Sequence, residues 1–445
     1  MHTFPYTLSE RAVARLGRSF AFLWSSTGLS NLADGVLKIG APLLAVSMTR
    51  SPTLVSLAGA AATLPWLLLA LHAGAIADRA DRRLIMVRAN LVRAVLLTAV
   101  TVLAVLGLLN LWLLLAAVLL AGVCEVFADL SAQSVLPMTV SGAELTRANG
   151  RVSTAQMIGN DFVGAPAAGV LVVALPAAVF GAPALLYGAA GLLLLGMRGT
   201  YRMPGPPAHR REGHPGGGPG HAHGQQHRPM RADIAEALRY LWNHRLLRSL
   251  ALTAGLLNLA NAGYFAVFVL WAVGDGSRMG LEPSEYGLMT TAFAVGAVFG
   301  SLLAERAAGV LGELRTLVGN WLITSVLLLV PVIVPSPWTL YPTAVLWGVV
   351  GAAGNVLVIS IRQRLIPAEL LGRVNSAYRL IGMGGMPLGA ALGGVVAELA
   401  GLTAALVGAT GVCLAAVGLV WRALSDQFSG PLTSEPTLSD ISTSR

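Results

Sequence analysis

Asp34, Lys38, Glu125, Asp129 and Asp161 stand inside long apolar stretches. Ionisable groups at bilayer depth cost about 2.5–3.5 kcal/mol each on insertion scales. Groups that costly call for a partner or a use. Asp34 and Lys38 are four residues apart, which places them on one face of a helix and within reach of each other. Asn31 lies on nearly the same face. Two readings follow. Asp34 takes up a coupling proton while Lys38 controls its ionisation, or the two form a structural ion pair with Lys38 snorkelling outward. Glu125 and Asp129 repeat the four-residue spacing with two acids. Glu125, the deeper one, suits a proton or a cationic group, and Asp129 suits a pairing with Arg82 near the end of its helix. Asp161, beside Asn160, is a third proton-coupling candidate. Arg93 reads as a snorkelling interface residue.

The elements that must position these groups are membrane-spanning helices. The chain has 445 residues, 55% hydrophobic and only 11% charged, with a mean hydropathy of +0.70. Soluble domains carry about 25% charged residues. Apolar runs of about 20 residues, each long enough to cross a bilayer, recur along the whole length. They predict helices over 18–48, 54–77, 84–107, 110–135, 153–174, 177–197, 246–273, 284–306, 314–334, 337–361, 373–398 and 401–422. The first run has no small-residue cleavage site and reads as a span, not a signal peptide. Cys124 and Cys413 both fall inside spans, so no disulfide framework is expected.

Charge sets the orientation. One set of loops holds Arg79, Arg82, Arg83, Arg147, Arg151, Arg306, Arg364 and the central linker, whereas the other set holds Arg50 and Arg278. Both termini are therefore expected in the cytoplasm. The net charge of +9 is explained by this bias and does not point to nucleic acid. Residues 198–230, rich in Gly, Pro and His, read as disordered. His209, His214, His221, His223 and His227 lie there, and the short H-A-H stretch could hold a metal only weakly. Residues 231–245 carry apolar positions at helical spacing among arginines. They read as a helix on the inner membrane surface, or as a plain extension of the seventh span. The division is an N-terminal six-helix half (1–197), a linker with its amphipathic helix (198–245), a C-terminal half (246–424) and a disordered tail (425–445).

An internal repeat supports the two halves. Gly28 to Asp34 (GLSNLAD) matches Gly255 to Asn261 (GLLNLAN) at an offset of 227 residues, and Ala77 to Arg79 matches Ala304 to Arg306 at the same offset. Leu145 to Gly150 matches Leu371 to Ser376 at 226. Parallel repeats of this kind place a binding site at mid-membrane between the halves. Asn261 stands where the first half has Asp34, so a polar group, though not a charge, is needed at both places. Asn31, Asn258 and Asn261 are candidate polar groups of the cavity.

The loop GAIADRADRR, Gly74 to Arg83, resembles the major facilitator loop motif G-x-L-A-D-R-x-G-R-[KR]. Gly74, Asp78, Arg79, Arg82 and Arg83 fall on its positions, and Asp81 replaces its second glycine. Together with the SPT and LP…RANG stretches, the wording is similar to the enterobactin-exporter-like and macrolide-efflux-like branch. Gly74 is expected to let two helices approach. Asp78 can accept from N–H groups at a neighbouring helix N-terminus; in the family that neighbour is the eleventh helix. The bonds of this loop would latch one face shut. The resemblance implies an all-α membrane protein of twelve helices in two pseudo-two-fold halves. It also implies a proton-driven exporter of an amphipathic drug, macrolide or siderophore.

The pore acids suit a neutral or cationic substrate. Metal-ion or lipid transport on the same fold is the alternative reading, and a transport-inactive receptor is a rival from another class. An ATP-driven pump or a membrane enzyme is disfavoured, because neither G-x-x-x-x-G-K-[ST] nor H-E-x-x-H occurs. No cofactor or bound metal is called for, and the chain is expected to act as a monomer.

Overall fold

The computed structural model describes residues 17–202, 230–366 and 371–428. Six helices form the first half: α1 Arg18–Met48, α2 Pro52–Arg79, α3 Arg82–Val105, α4 Leu111–Thr139, a broken α5, and α6 Ala178–Leu195. Helix α5 runs Leu145–Met157, loosens into a π-helical segment Ile158–Gly164, and resumes over Ala165–Ala174. A separate helix α7, Met230–Asn243, precedes the second half. That half comprises α8 Arg245–Ala272, α9 Pro283–Leu311, α10 Glu313–Leu327 with a last turn Val330–Ile333, α11 Pro337–Leu365, α12 Leu371–Ala400 and α13 Leu402–Phe428. Among the described residues, twelve helices are long and apolar enough to cross a membrane.

Local chemistry sets the helix ends. Ser51, Asp81, Asn110 and Ser336 cap α2, α3, α4 and α11 by accepting from backbone N–H groups of the first turn. Gly312 (φ +84°) and Gly401 (φ +89°) take the left-handed conformation that the tight turns after α9 and α12 require.

Packing repeats from half to half. Helix α1 lies against α5 and α6, and α2 against α4; likewise α8 lies against α12 and α13, and α9 against α11. The halves meet along α2–α12 and α5–α9, which exchange under the same two-fold operation. These pairings give the two-half fold that the repeat implied.

Three expectations change. The start of the segment expected to be disordered, residues 198–202, is ordered and anchored by Tyr201. Met197 and Tyr201 are buried, and the Arg82 N–H donates to the Tyr201 carbonyl at 3.3 Å. Helix α7 does not simply lie on a membrane surface, nor does it continue α8. Leu241 is fully buried against Leu247, Leu317, Ile361 and Val374, and the Tyr240 hydroxyl donates to the Leu365 carbonyl at 3.1 Å. The chain breaks at His244, whose Nδ1 accepts from the Leu247 N–H as the cap of α8. Burial pushes the His244 imidazole below its usual value. Third, helix α13 continues to Phe428, beyond the expected start of a tail at 425. The linker histidines lie outside the described residues.

Candidate functional site

The acids singled out from sequence converge, through partners that sequence did not supply. Asp34 on α1 does not pair with Lys38. Its Oδ1 accepts from Arg93 of α3 and from the Tyr187 hydroxyl of α6, the latter at 2.7 Å. Arg93 also donates to the Tyr187 oxygen at 2.6 Å, and its guanidinium lies 3.8 Å from the Tyr187 ring centroid. Arg93 is therefore no snorkelling residue, being only 1% exposed. A planar fork can meet a carboxylate and an aromatic face together, which a lysine cannot.

With Asp34 occupied, Lys38 turns to α4. Its Nζ lies 3.3 Å from Glu125 Oε1, and Arg93 lies 4.0 Å from Glu125 Oε2. Asp129 does not pair with Arg82. Its charged neighbours are Glu125, Asp34, Lys38 and Arg93. Arg82 donates to the Ala77 carbonyl and to Met138 Sδ. Met138 lies nine residues beyond Asp129, roughly 13 Å along the helix axis, which separates the two groups. The cluster thus holds three acids, Asp34, Glu125 and Asp129, against two bases, Lys38 and Arg93.

Asp161 arrives by a different route. Asn160 and Asp161 sit on the π-helical turn, where the Ala165 N–H reaches back five residues to the Asn160 carbonyl. Pro166 follows at once and cannot donate a backbone bond. The turn is pressed against α1: a Cβ on Gly35 would come within 2.7 Å of Asn160 Cα. The Asn160 amide donates to Asn31 Oδ1 at 2.9 Å. Asn31 is therefore a buried tie between α1 and α5, not a cavity group. π-Turns often mark functional positions. No feature of the residue pattern announced this one.

Lys38 and Asp161 both line a cavity of about 400 Å³ between the halves. Its opposite wall is apolar and aromatic, with Phe265, Tyr286, Phe293 and Trp347. A second cavity, about 560 Å³, is lined only by residues of the second half, Asn258 and Asn261 among them. Met386 borders both. At the repeat offset, Asp34, Lys38 and Arg93 correspond to Asn261, Phe265 and Asn320. The charge network thus belongs to one half alone.

The two ends of the molecule differ. At the end away from the linker, Arg50 donates to the Val273 and Asp275 carbonyls at 3.2 and 3.4 Å. There Ser51 donates to Glu398 Oε2 at 2.7 Å, and the Thr53 N–H donates to the same oxygen at 3.3 Å. Gly394 lets α12 settle on α2, since a Cβ there would lie 2.7 Å from the Ser56 Cβ. Toward the linker, Asp81 and Arg83 of the motif loop make bonds within their own half. Arg83 donates to the Leu194 and Leu195 carbonyls at 2.8 and 2.7 Å, closing the C-terminus of α6. Asp81 caps α3. Gly74 is not at a helix crossing, because an added Cβ would meet no heavy atom within 4 Å. The Asp78 and Arg79 side chains lie outside what the structure describes.

Twelve spans, a two-fold pair of bundles and a cavity between them are the architecture of a membrane transporter. The family described as "Transmembrane secretion effector" matches residues 13–202, and "Major Facilitator Superfamily" matches residues 258–443. The chain belongs to the major facilitator superfamily. Enterobactin exporter EntS of Citrobacter koseri is 30% identical over 173 residues, 37% of this chain. EntS of Shigella boydii serotype 18 is 30% identical over 171 residues. The matched stretch spans only 38% of the length of these curated relatives. Among solved structures, the nucleoside transporter NupG superposes with a TM-score of 0.68 at 11% identity, covering 93% of this chain and 100% of its own. A bacterial homologue of the iron transporter ferroportin, in an inward-facing state, gives 0.66 at 16% identity, covering 92% and 99%. These likenesses show the fold.

Proposed function

We propose that the protein is a proton-coupled exporter of an amphipathic small molecule, of drug, macrolide or siderophore type, with both termini in the cytoplasm. The observation that carries this reading is the network of Asp34, Arg93, Tyr187, Glu125 and Lys38. It joins α1, α3, α4 and α6 at bilayer depth and presents Lys38 to the cavity between the halves. Asp34 is the anchored end, held by two donors. Lys38 is the free end, half exposed and bound to one acid. The excess of one acid leaves room for one proton. Asp129, for which the described residues supply no ion pair or hydrogen bond, is the acid in excess. A proton on the Glu125–Asp129 pair and a substrate beside Lys38 would each change the balance of charge in the cavity. Two ligands that bias one equilibrium in this way are coupled.

The bonds of Arg50, Ser51 and Thr53 to the second half gather at the end away from the linker. That supports a conformation sealed on the outer face with the cavities served from the cytoplasm. The arginine-rich loops fit the same orientation. Similarity to the enterobactin exporters, over a third of the chain, favours export and a siderophore-like cargo.

The test is substrate-dependent proton flux. Proteoliposomes carrying pyranine inside are exposed to labelled siderophores, macrolides and aromatic amphiphiles under an imposed pH gradient. At least one compound should accumulate uphill and discharge the gradient, and Glu125→Gln should abolish both. Accumulation that persists undiminished with a protonophore would show that protons do not drive it.

A further inference from the structure

The charged side chains that line the cavity within the second half are all positive. Two arginines line it, Arg362 near the end of α11 and Arg379 in the third turn of α12. No carboxylate pairs with either among the described residues. Arg364, two residues beyond Arg362, pairs with Glu313 and so behaves as an ordinary end-of-helix charge. Arg362 instead turns inward. Its guanidinium lies 4.0 Å from the centroid of the Tyr378 ring, and its Nε is a buried donor without an acceptor. The charged side chain nearest in influence is Arg379, of the same sign. Arg379 reaches toward the first half, 5.9 Å from the Trp66 ring centroid.

The two guanidiniums line one cavity, Arg379 exposed and Arg362 half-buried, with the buried Arg362 Nε unmet and no countercharge among the described residues. A buried donor left unmet is costly, and an anion in the cavity would complete it. The remaining lining explains what else the ligand must carry. Trp321, Tyr378, Met383 and Met386 offer aromatic and polarisable surface. Asn258 and Asn261 are partly spoken for, since their amides donate to the Gly382 and Leu257 carbonyls. Their side-chain oxygens remain as acceptors for a hydroxyl. Met386 borders the cavity between the halves as well. A ligand can therefore lie across both, its apolar body between the halves and its charged end on Arg362 and Arg379.

We propose that this cavity is the subsite for an anionic group of the substrate, and that the transported molecule is an aromatic or apolar anion. The chemistry is a carboxylate-like group on a flat apolar body, held bidentately by guanidinium groups. This rests on the reading of the chain as a transporter. It differs from the expectation, drawn from the first-half acids, of a neutral or cationic substrate. Asp34 and Glu125 face their own bases, whereas Arg362 and Arg379 have no carboxylate partner among the described residues. The same anionic chemistry could come from a lipid headgroup, so the experiment must separate the two sources.

The experiment measures equilibrium binding to the full-length protein in nanodiscs of phosphatidylcholine, by calorimetry, without any gradient. The probes are 1-naphthoate, 1-naphthylmethylammonium and the neutral 1-naphthylmethanol, which share one ring system. Wild type should bind the anion at least about tenfold tighter than the cation, and Arg362→Gln and Arg379→Gln should each erase about tenfold of that preference. Binding of the neutral probe should be unchanged, which reports that the variants are folded. Equal affinity for the two ions, or an anion preference retained in both variants, overturns the proposal. Loss of naphthoate binding when phosphatidylglycerol replaces part of the phosphatidylcholine assigns the arginines to lipid and overturns the substrate role. Because no gradient enters, absence of proton-driven flux would leave this result standing, and a failed binding test would leave proton coupling untouched.

Discussion

Asp34 and Lys38 lie one turn apart on α1, yet each is paired to a different helix: Asp34 to Arg93 of α3, and Lys38 to Glu125 of α4. Spacing on one helix permits a pair; competing partners decide whether it forms. An exposed four-residue pair is worth only about 0.3–0.5 kcal/mol. A buried guanidinium without a countercharge costs several times that. Arg93 therefore takes the buried carboxylate, and Lys38, which borders the cavity, is left for Glu125.

That ordering sets the first expected outcome. Asp34→Asn should destabilise the protein by about 3–5 kcal/mol, because Arg93 keeps its charge and loses its partner. The double variant Asp34→Asn with Arg93→Gln should recover much of the loss, since neither charge is then stranded. Thermal unfolding in a mild detergent reads both. If the single variant melts with wild type, Asp34 is not the anchor of the network.

The outer seal gives a second. Arg50→Ala together with Glu398→Ala removes the bonds from the α1–α2 turn to the second half. Each hydrogen bond is worth about 1 kcal/mol net, so the population open on that face should rise several-fold. The readout is maleimide labelling of a Thr63→Cys reporter, with Cys124 and Cys413 replaced by Ser. Thr63 lines the cavity between the halves. Labelling from the outer side at the wild-type rate would mean that these bonds do not hold the seal.

A third concerns His244, which caps α8 by accepting from the Leu247 N–H. Burial lowers its pKa from the usual value near 6.5. A folded-state pKa below the unfolded one contributes stability that is present above pH 6.5 and is lost as pH falls through the lowered value. Protonation removes the acceptor and sets a positive charge at a helix N-terminus, where the dipole opposes it. Amide exchange at Leu247 to Leu250 should accelerate in mild acid. His244→Asn keeps a cap, worth about 0.5–2 kcal/mol, and should flatten that dependence. Identical acid profiles for the two proteins would remove His244 from the account.

Much of the fold was legible because membrane spans obey one strong rule: a long apolar run must be a helix. The spans read from the sequence end within a few residues of the helices, except toward the linker, where α5 begins at Leu145, not 153. Polar residues such as Thr146 and Asn149 continue the helix there, beyond the apolar signal. The acids of the site were legible for a related reason, since a charge in an apolar run stands out. Their partners were not. Arg93 looks like a snorkelling arginine until α1 and α6 close over it, and Tyr187 is an unremarkable aromatic until it touches Asp34. The π-turn at Asn160 and Asp161 depends on backbone contact with Gly35, which no periodicity encodes. Arg364 reads as an inside charge, Arg362 two residues before it gave no signal of its own, and only three-dimensional placement sets the inward-facing one apart.

The last prediction concerns how the first-half charges are counted. With all groups ionised, Asp34, Glu125 and Asp129 carry one charge more than Lys38 and Arg93 can match. If Asp129 takes the coupling proton, Asp129→Asn should abolish uphill, gradient-driven transport while downhill exchange of substrate continues. Lys38→Gln should also uncouple, because it leaves three acids facing Arg93 alone and alters the balance in every state. Glu125→Gln should uncouple from the other direction, because it matches the charges without any proton. The double variant Lys38→Gln with Glu125→Gln restores the excess of one acid, with Asp34 and Asp129 against Arg93. It should regain a measurable part of the coupling that each single variant loses, and adding Asp129→Asn to it should remove that gain again. Proton flux and substrate accumulation, measured together in proteoliposomes, distinguish these cases. A double variant as dead as its parents would show that the specific Lys38–Glu125 contact, not the charge count, carries coupling. Uphill transport by the Asp129→Asn protein would move the search for the proton site to Asp161, the acid that lines the cavity from the π-turn.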